Sequence, residues 1–424
     1  MPHLIHLKLI LWSTSLHIYA KFMVGVAIAS QVIGSQTGME TSMQIGIVKE
    51  VKDREYRVAL TPSGAASLAT AGHRVQVQHG AGVEAGFADD AYRQAGAHIV
   101  SVEQAWQSEL VLKVKEPLAS EYTYLNQQIL FTYLHLAGVS PALTETLLQR
   151  KTTAIAYETV MGDSGDLPLL APMSAIAGNM AASVGGYYLA YSYGGKGVQL
   201  GTILGQPYGK VVVIGDGVVG QHAASTAAGM GARVWIAGMN RDKVADLEQH
   251  YPGQVEFFYS QPEAIAAHLT DTDLVVGAVL VRGAKAPHVV TEDMIRHMQP
   301  GSVIVDVSID QGGCIETSRP TTHSDPIFTR HGMIHYCVTN MPGAYPRTAT
   351  LALTTVTIPY ILRLAQDGLS GLSGAPGFSQ GLNTYRGYIT SEPVAQDLGM
   401  IAHYMPLMEA LALGEPPVKA TPVT

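Results

Sequence analysis

From Gln44 onward the chain alternates short apolar runs with longer stretches whose apolar residues recur at helical spacing. Repeated strand–helix–strand order builds parallel sheets, because two parallel strands need a crossover between them. The first series of runs predicts strands at 44–48, 74–78, 110–114, 129–133 and 153–156, with helices over 62–71 and 141–148. The turn cluster Asp163-Ser-Gly-Asp-Leu-Pro168 closes this series. A long helix of small residues is expected from Pro172 to about Tyr191. A second series predicts strands at 211–214, 233–237, 255–258, 274–277, 303–306 and 334–337, followed by an apolar helix over 351–364.

The strand Val211-Val-Val-Ile214 runs straight into Gly215-x-Gly217-x-x-Gly220. A dinucleotide pyrophosphate needs this spacing: one glycine for the tight turn, one for close backbone approach, one for packing the helix on the strand. The phosphates then sit at the positive end of that helix. Glycine is common and the spacing alone is weak, but the strand before it and the helical 221–230 after it supply the required context. The chain is therefore expected to bind a nicotinamide dinucleotide. The fold class expected is α/β with two domains. A Rossmann-type doubly wound nucleotide-binding domain (171–344) is inserted into a flavodoxin-like α/β substrate domain made of 43–170 and 345–424.

Composition narrows the function classes. At 424 residues there is room for two cores, and 47% hydrophobic with 14% charged residues argues against disorder. The net charge of −8, with scattered basic residues, leaves no nucleic-acid footprint. So few charges hint at a homo-oligomer. The two cysteines, Cys314 and Cys337, have no spacing that suggests a metal site or a disulfide framework, so a reducing cytoplasm is expected. Residues 22–34 are apolar but fall short of the roughly 20 that cross a bilayer, and no segment of about 18 or more apolar residues follows residue 42, so no membrane partner is expected. Lys21 allows a weak secretory-signal reading. The favoured one has the native chain begin at Met39 or Met43, with 1–42 an extension outside the fold.

Several polar residues end their strands, where α/β sheets place ligands. Lys113 and Lys115, in Val-Leu-Lys-Val-Lys-Glu-Pro117, fall on one face by alternation; alone they would read as a solvated basic edge. His135 ends an otherwise apolar run, and beside a lysine and a nicotinamide it becomes a candidate acid/base group. Asp306 and Asp310 follow Val303-Ile-Val305, where a carboxylate can order a nucleophile or hold a ribose. Arg57, in Lys52-Asp-Arg-Glu-Tyr-Arg-Val-Ala59, would be a surface charge by default.

Longer motifs add a resemblance. They are Lys113-Val-Lys-Glu-Pro117, Phe131-Thr-Tyr-Leu-His-Leu136, Ala154-Ile-Ala-Tyr-Glu-Thr-Val160 and Leu167-Pro-Leu-Leu-Ala-Pro-Met-Ser174. Further on come Gly277-Ala-Val-Leu280, Gly283-Ala-Lys-Ala-Pro287, the run from Ile309 to Thr322, and His335-Tyr-Cys-Val-Thr-Asn-Met-Pro342. From Met43 to about Leu413 the chain resembles the alanine dehydrogenase family, which is related to the soluble part of proton-translocating transhydrogenase. The resemblance implies L-alanine, pyruvate and ammonia as substrates and a hexamer. It implies that Arg57 and Lys115 hold the carboxylate and carbonyl of pyruvate, that His135 is the general acid/base, and that Asp310 handles ammonia or water. It also implies that Ser174, Gly238, Lys243, Ser260, Val279, Leu280, Val307, Ile309, Arg319, Val338, Asn340 and Met341 join Gly215, Gly217 and Gly220 around the dinucleotide.

The departures carry information too. Where the family ends its second nucleotide-domain strand with a ribose-binding aspartate, this chain has Gly238, with Arg241 nearby. Losing that acid removes a bond to the ribose 2′-OH and a repulsion toward a 2′-phosphate, so a weakened preference for NAD, with NADP tolerated or even favoured, is expected, and Gly238→Asp is expected to restore a strong NAD preference. Two other readings are an NADP-dependent carboxyalkyl amino acid synthase of the same family, as in carboxyethyl-ornithine-type synthases, and a non-catalytic transhydrogenase-like module.

Overall fold

The computed structural model describes residues 42–281 and 285–414. Residues 1–41 of the expected extension, and Gly283 and Ala284 of the quoted motif, lie outside the described residues. Two large sheets dominate. The first takes β1 (Gln44–Ile47), β2 (Arg74–Gln78), β3 (His98–Val100), β4 (Leu110–Leu112), β5 (Ile129–Thr132) and β6 (Thr153–Ala156). A separate short hairpin follows, β7 (Gly201–Ile203) with β8 (Gln206–Tyr208). The second sheet takes β9 (Lys210–Ile214), β10 (Arg233–Gly238), β11 (Val255–Tyr259), β12 (Leu274–Gly277), β13 (Val303–Asp306), β14 (Ile327–Arg330) and β15 (Met333–Tyr336). The chain then returns to the first sheet with β16 (Leu382–Tyr385) and β17 (Tyr388–Ile389).

The sheet orders are β17-β16-β6-β5-β4-β1-β2-β3 and β11-β10-β9-β12-β13-β15-β14. Each begins in the middle, winds to one edge, then returns and winds to the other. That leaves a crevice at the carboxyl ends beside β1/β4 and beside β9/β12, where α/β sheets bind ligands. The sequence of β9 shows why it is central. Val211 to Ile214 are wholly buried, and Val213 pairs with Ile236 on one side and Val276 on the other. A parallel strand covered on both faces needs such an unbroken apolar run.

Two helices join the lobes. Ala171–Tyr188 starts with Pro172 in its first turn and is built of small residues. They let it lie close to the helix Val218–Met230: a Cβ added at Gly178 would fall 2.4 Å from the Val219 carbonyl oxygen. Pro346–Asp367 leads back, burying Ala349, Thr350, Leu353, Thr354, Thr357, Ile361, Leu364 and Ala365 at three- and four-residue steps. Among the described residues this is the one helix long and apolar enough to cross a membrane, with mean hydropathy 1.3. It contains the apolar helix expected over 351–364 and extends it at both ends. Its buried stripe belongs to the main core.

The strands missed by periodicity have physical reasons. β3 is a three-residue edge, too short to show alternation. β16 carries Asn383 and Thr384 inside, where Asn383 donates to the Gly381 carbonyl and Thr384 to the Thr152 carbonyl. Satisfied polar groups bury cheaply but hide the apolar pattern. β4 and β5 stop at Leu112 and Thr132, short of the expected ends.

Candidate active site

The carboxyl edge of the second sheet gathers the expected cofactor positions. Gly215 follows β9 at φ 126°, and a Cβ there would fall 2.4 Å from the Ala278 carbonyl oxygen. Gly217 caps the helix Val218–Met230 and faces open space, with nothing within 4 Å of an added Cβ. Gly220 lies so close to the loop that a Cβ would fall 1.9 Å from the Gly215 carbonyl oxygen. A turn no side chain tolerates, an open approach and a helix amino end fit a pyrophosphate. Gly238 ends β10, Ser260 follows β11, Val279 and Leu280 follow β12, and Val307 and Ile309 follow β13. Val338, Asn340 and Met341 follow β15. Ser174 sits in the first turn of Ala171–Tyr188. Arg319 is exposed, its guanidinium 4.2 Å from the centroid of the Phe328 ring.

Beside Gly238 stands a residue the sequence reading passed over. The Asp216 carboxylate accepts from the Met239 and Asn240 amides, both at 2.8 Å, and from Lys243 Nζ at 3.3 Å. Burial works against its ionisation, but these amides and Lys243 outweigh it and hold the carboxyl below its ordinary value. A Cβ added at Gly238 would fall 2.7 Å from both Asp216 Cβ and Phe257 Cε2. A side chain at 238 therefore crowds Asp216 and Phe257 unless one of them shifts.

Across the crevice, Arg57 is buried rather than a surface charge. Glu55 grips it with two oxygens, at 2.7 Å to Nε and 2.5 Å to NH2, and NH2 also donates to Asn340 Oδ1 at 2.6 Å. Among the described residues the hydrogen-bond acceptor at NH1 is Met173 Sδ at 3.1 Å, a weak one that a stronger acceptor can displace. Asn340 ties the lobes together. Its Nδ2 donates to Glu55 at 2.8 Å and its backbone N–H to Asp310 Oδ1 at 3.2 Å.

Lys115 lies under the same network. Burial pushes its ammonium below the ordinary lysine value; Asp310 and Glu116 pull it back up while Arg57 and Lys52 push it further down. Its Nζ sits 6.0 Å from the centroid of the Tyr133 ring. The His135 ring stacks on that same Tyr133 ring, centroids 5.8 Å apart and planes 4° apart. Tyr133 is fixed by donating to the Leu169 carbonyl at 2.6 Å. One aromatic plate thus carries both the candidate ammonium and the candidate imidazole.

Two other expectations are corrected. Lys113 does not share Lys115's face. The strand stops at Leu112, and Lys113 is sealed between Glu121 at 2.8 Å and Glu50 at 3.1 Å. It is neither a solvated charge nor part of the crevice. Asp306, also wholly buried, accepts the Ser308, Cys314 and Ile315 amides at 3.0, 3.1 and 3.2 Å. It shapes the loop that presents Asp310 and holds no ribose.

The Glu55 latch gives an acid signature. Burial raises the Glu55 carboxyl, but the charge and hydrogen bonds of Arg57, the Asn340 bond and the Lys115 charge bring it down to about 2 from 4.5. A depressed carboxyl stabilises the fold above its unfolded value, and that contribution is lost as pH falls through the folded value, here between about 4.5 and 2. Across that window wild type is expected to lose roughly 3 kcal/mol that Glu55→Gln does not lose. Urea unfolding at a series of acid pH values reads the difference, and parallel curves would refute it.

Comparison with known proteins places the chain. Its residues 46–177 match the family model described as alanine dehydrogenase/PNT, N-terminal domain, and 181–392 match the corresponding C-terminal domain. It is 49% identical over 373 residues to the alanine dehydrogenase of Bacillus subtilis, covering 87% of this chain and 98% of that one. The chain belongs to the alanine dehydrogenase/PNT family. The alanine dehydrogenase of Mycolicibacterium smegmatis is 49% identical over 362 residues, 84% of this chain and 97% of that one. A solved L-alanine dehydrogenase superposes with TM-score 0.80 at 46% identity, over 84% of this chain and 99% of that one. A transhydrogenase from Sinorhizobium meliloti, at 23% identity, shares the fold with TM-score 0.71 over 82% of this chain and 99% of that one.

Sequence reasoning missed Glu55, Tyr133 and Asp216. Glu55 had a signal, an acid two residues from a candidate anion-binding arginine. Asp216 had one as well: an acid inside the glycine loop of a chain that lacks the strand-end acid. Tyr133 had none, because a tyrosine in an apolar run reads as core.

Proposed function

We propose that this protein reversibly deaminates L-alanine: L-alanine, water and an oxidised nicotinamide dinucleotide give pyruvate, ammonium, the reduced dinucleotide and a proton. The observation that carries this reading is one network: Arg57 donates to Asn340, Asn340 donates to Asp310, and Lys115 lies within electrostatic reach of both Arg57 and Asp310. A bound dinucleotide supplies the hydride acceptor, and everything else falls to the protein. The NH1 edge of Arg57, weakly held by Met173, and the Lys115 ammonium take the carboxylate and keto oxygen of pyruvate. His135 gives a proton to the oxygen that leaves as water and takes it back in the other direction. Asp310 orients the incoming ammonia or water. Substrate handling is assigned to 43–170 plus 345–424 and cofactor binding to 171–344, with NAD as the coenzyme.

We also propose a homo-oligomer, a hexamer by resemblance, in the cytoplasm. Supporting the first, the hairpin β7–β8 carries Ile203 and Leu204 exposed, Leu204 at 98%, near exposed Tyr191 and Tyr208 in sequence. Supporting the second, Cys314 and Cys337 are free and buried. Sedimentation velocity returning a monomer would remove the oligomer. The activity is tested by pyruvate reduction with ammonia, ornithine or lysine as the amine, beside alanine oxidation. Ammonia is expected to be the amine used; absent alanine oxidation, or preference for ornithine, overturns the reading.

A further inference from the structure

We infer that Asp216 selects the coenzyme: its carboxylate does the work of the missing strand-end acid, accepting the adenine-ribose 2′-hydroxyl of NAD and filling the anion cradle a 2′-phosphate would need. The inference rests on the dinucleotide reading above and reverses the tolerance of NADP expected from Gly238.

Three observations carry it. First, place: a side chain at 238 would begin 2.8 Å from Asp216 Oδ2, so the carboxylate already occupies the space beyond the end of β10. A strand-end acid in a dinucleotide fold bonds the ribose hydroxyl from that region. Here the acid enters from the glycine loop instead, and Gly238 is the vacancy that admits it. Positions 216 and 238 are coupled, since only one of them can carry a side chain there.

Second, occupancy. Successive amides of Met239 and Asn240 converge on Oδ2, and Lys243 Nζ approaches Oδ1. Consecutive backbone N–H groups with a nearby ammonium form a concavity that holds an anion. The resident carboxylate is that anion, so a 2′-phosphate would meet a filled cradle and a like charge. Among the described residues Oδ1 is engaged by Lys243 alone, leaving lone-pair capacity for a hydroxyl donor. The Asp216 side chain keeps 11% of its surface open.

Third, Arg241, the cation nearest in sequence that could welcome a phosphate, is turned away. Its Nε and NH2 both lie 3.2 Å from the Glu248 carboxylate.

The test is direct binding of NADH and NADPH to the purified full chain by calorimetry or by nicotinamide fluorescence, without turnover. Wild type is expected to bind NADH about 100-fold more tightly than NADPH, as a charge-assisted bond plus a like-charge penalty allows. Asp216→Gly, which empties the cradle, is expected to weaken NADH about tenfold and strengthen NADPH about tenfold. The double change Asp216→Gly/Gly238→Asp is expected to return the preference to NADH. Asp216→Asn keeps an oxygen for the two amides and removes only the charge. It narrows the ratio about tenfold and keeps the question answerable if the glycine variant does not fold. Equal affinity of wild type for both dinucleotides, or an NADH/NADPH ratio unmoved in every folded Asp216 variant, overturns the inference. Wild type binding neither dinucleotide overturns the cofactor reading itself, and the inference with it.

Discussion

His135→Asn is expected to lower kcat for pyruvate reduction with ammonia by about 10²- to 10⁴-fold, the usual worth of a positioned proton donor. Affinity for the dinucleotide is expected to change little. The choice of asparagine matters. His135 has a positive φ of 45°, a left-handed conformation that asparagine visits more readily than alanine. An alanine variant would mix lost chemistry with backbone strain. The site spends interactions to hold this conformation: the His135 amide donates to Glu158 Oε1 at 2.6 Å, and the ring lies flat on Tyr133. The same carboxylate sits 3.8 Å from Nδ1, on one side of a side chain that keeps 40% of its surface open. An imidazole fixed by its own backbone and still reachable is arranged for proton exchange. Turnover within twofold of wild type would remove His135 from the chemistry and leave it a cap for the turn at Leu136.

Much of this architecture is legible in the residues, and the boundary of legibility is physical. The central strands β4, β5, β9, β12 and β13 are read from unbroken apolar runs, because both their faces are covered. The glycine loop is read because Gly215 and Gly220 stand where a Cβ would strike a carbonyl oxygen. What escapes is whatever depends on where a strand stops. Lys113 and Lys115 share a face only if the strand continues past Leu112, and it does not. What spans the two lobes escapes as well. Nothing local ties Glu55 to Asn340, 285 residues away, although that bond joins the Glu55–Arg57 pair to the loop after β15. Asp216 lies between the two cases. Its identity was visible, but its meaning required knowing that β9 and β10 are neighbours and that Gly238 leaves room.

Lys113→Met is expected to destabilise the fold by about 3–5 kcal/mol, the cost of taking one partner from a buried ionic cluster. The ammonium is wholly buried, held by Glu50 and Glu121 and 5.8 Å from the centroid of the Trp106 ring. Burial alone would lower its pKa, but the two carboxylates outweigh this and raise it. A raised lysine keeps its stabilisation below the ordinary value of about 10.4 and loses it only as pH rises through the higher folded value, so at neutrality the cluster is fully formed. Its removal leaves two facing carboxylates without a counter-charge. Burial already raises Glu50, and its Oε1 also accepts the Val114 amide at 2.6 Å and the Lys115 amide at 3.3 Å. Glu121 Oε2 accepts the Leu118 amide at 2.9 Å. These bonds fix the backbone at Val114 and Lys115, so the Lys113 cluster supports the position of the lysine two residues on. Protonating the stranded acids relieves the penalty, and the gap between wild type and variant is expected to narrow as pH falls toward the carboxylate range. Urea unfolding at one fixed protein concentration, at neutral and mildly acid pH, measures both effects. Adding Glu50→Gln and Glu121→Gln to Lys113→Met is expected to recover part of the loss. A single variant within 1 kcal/mol of wild type at neutral pH, on the ordinary scale for an exposed charge, would mean that Lys113 is not the keystone of this cluster.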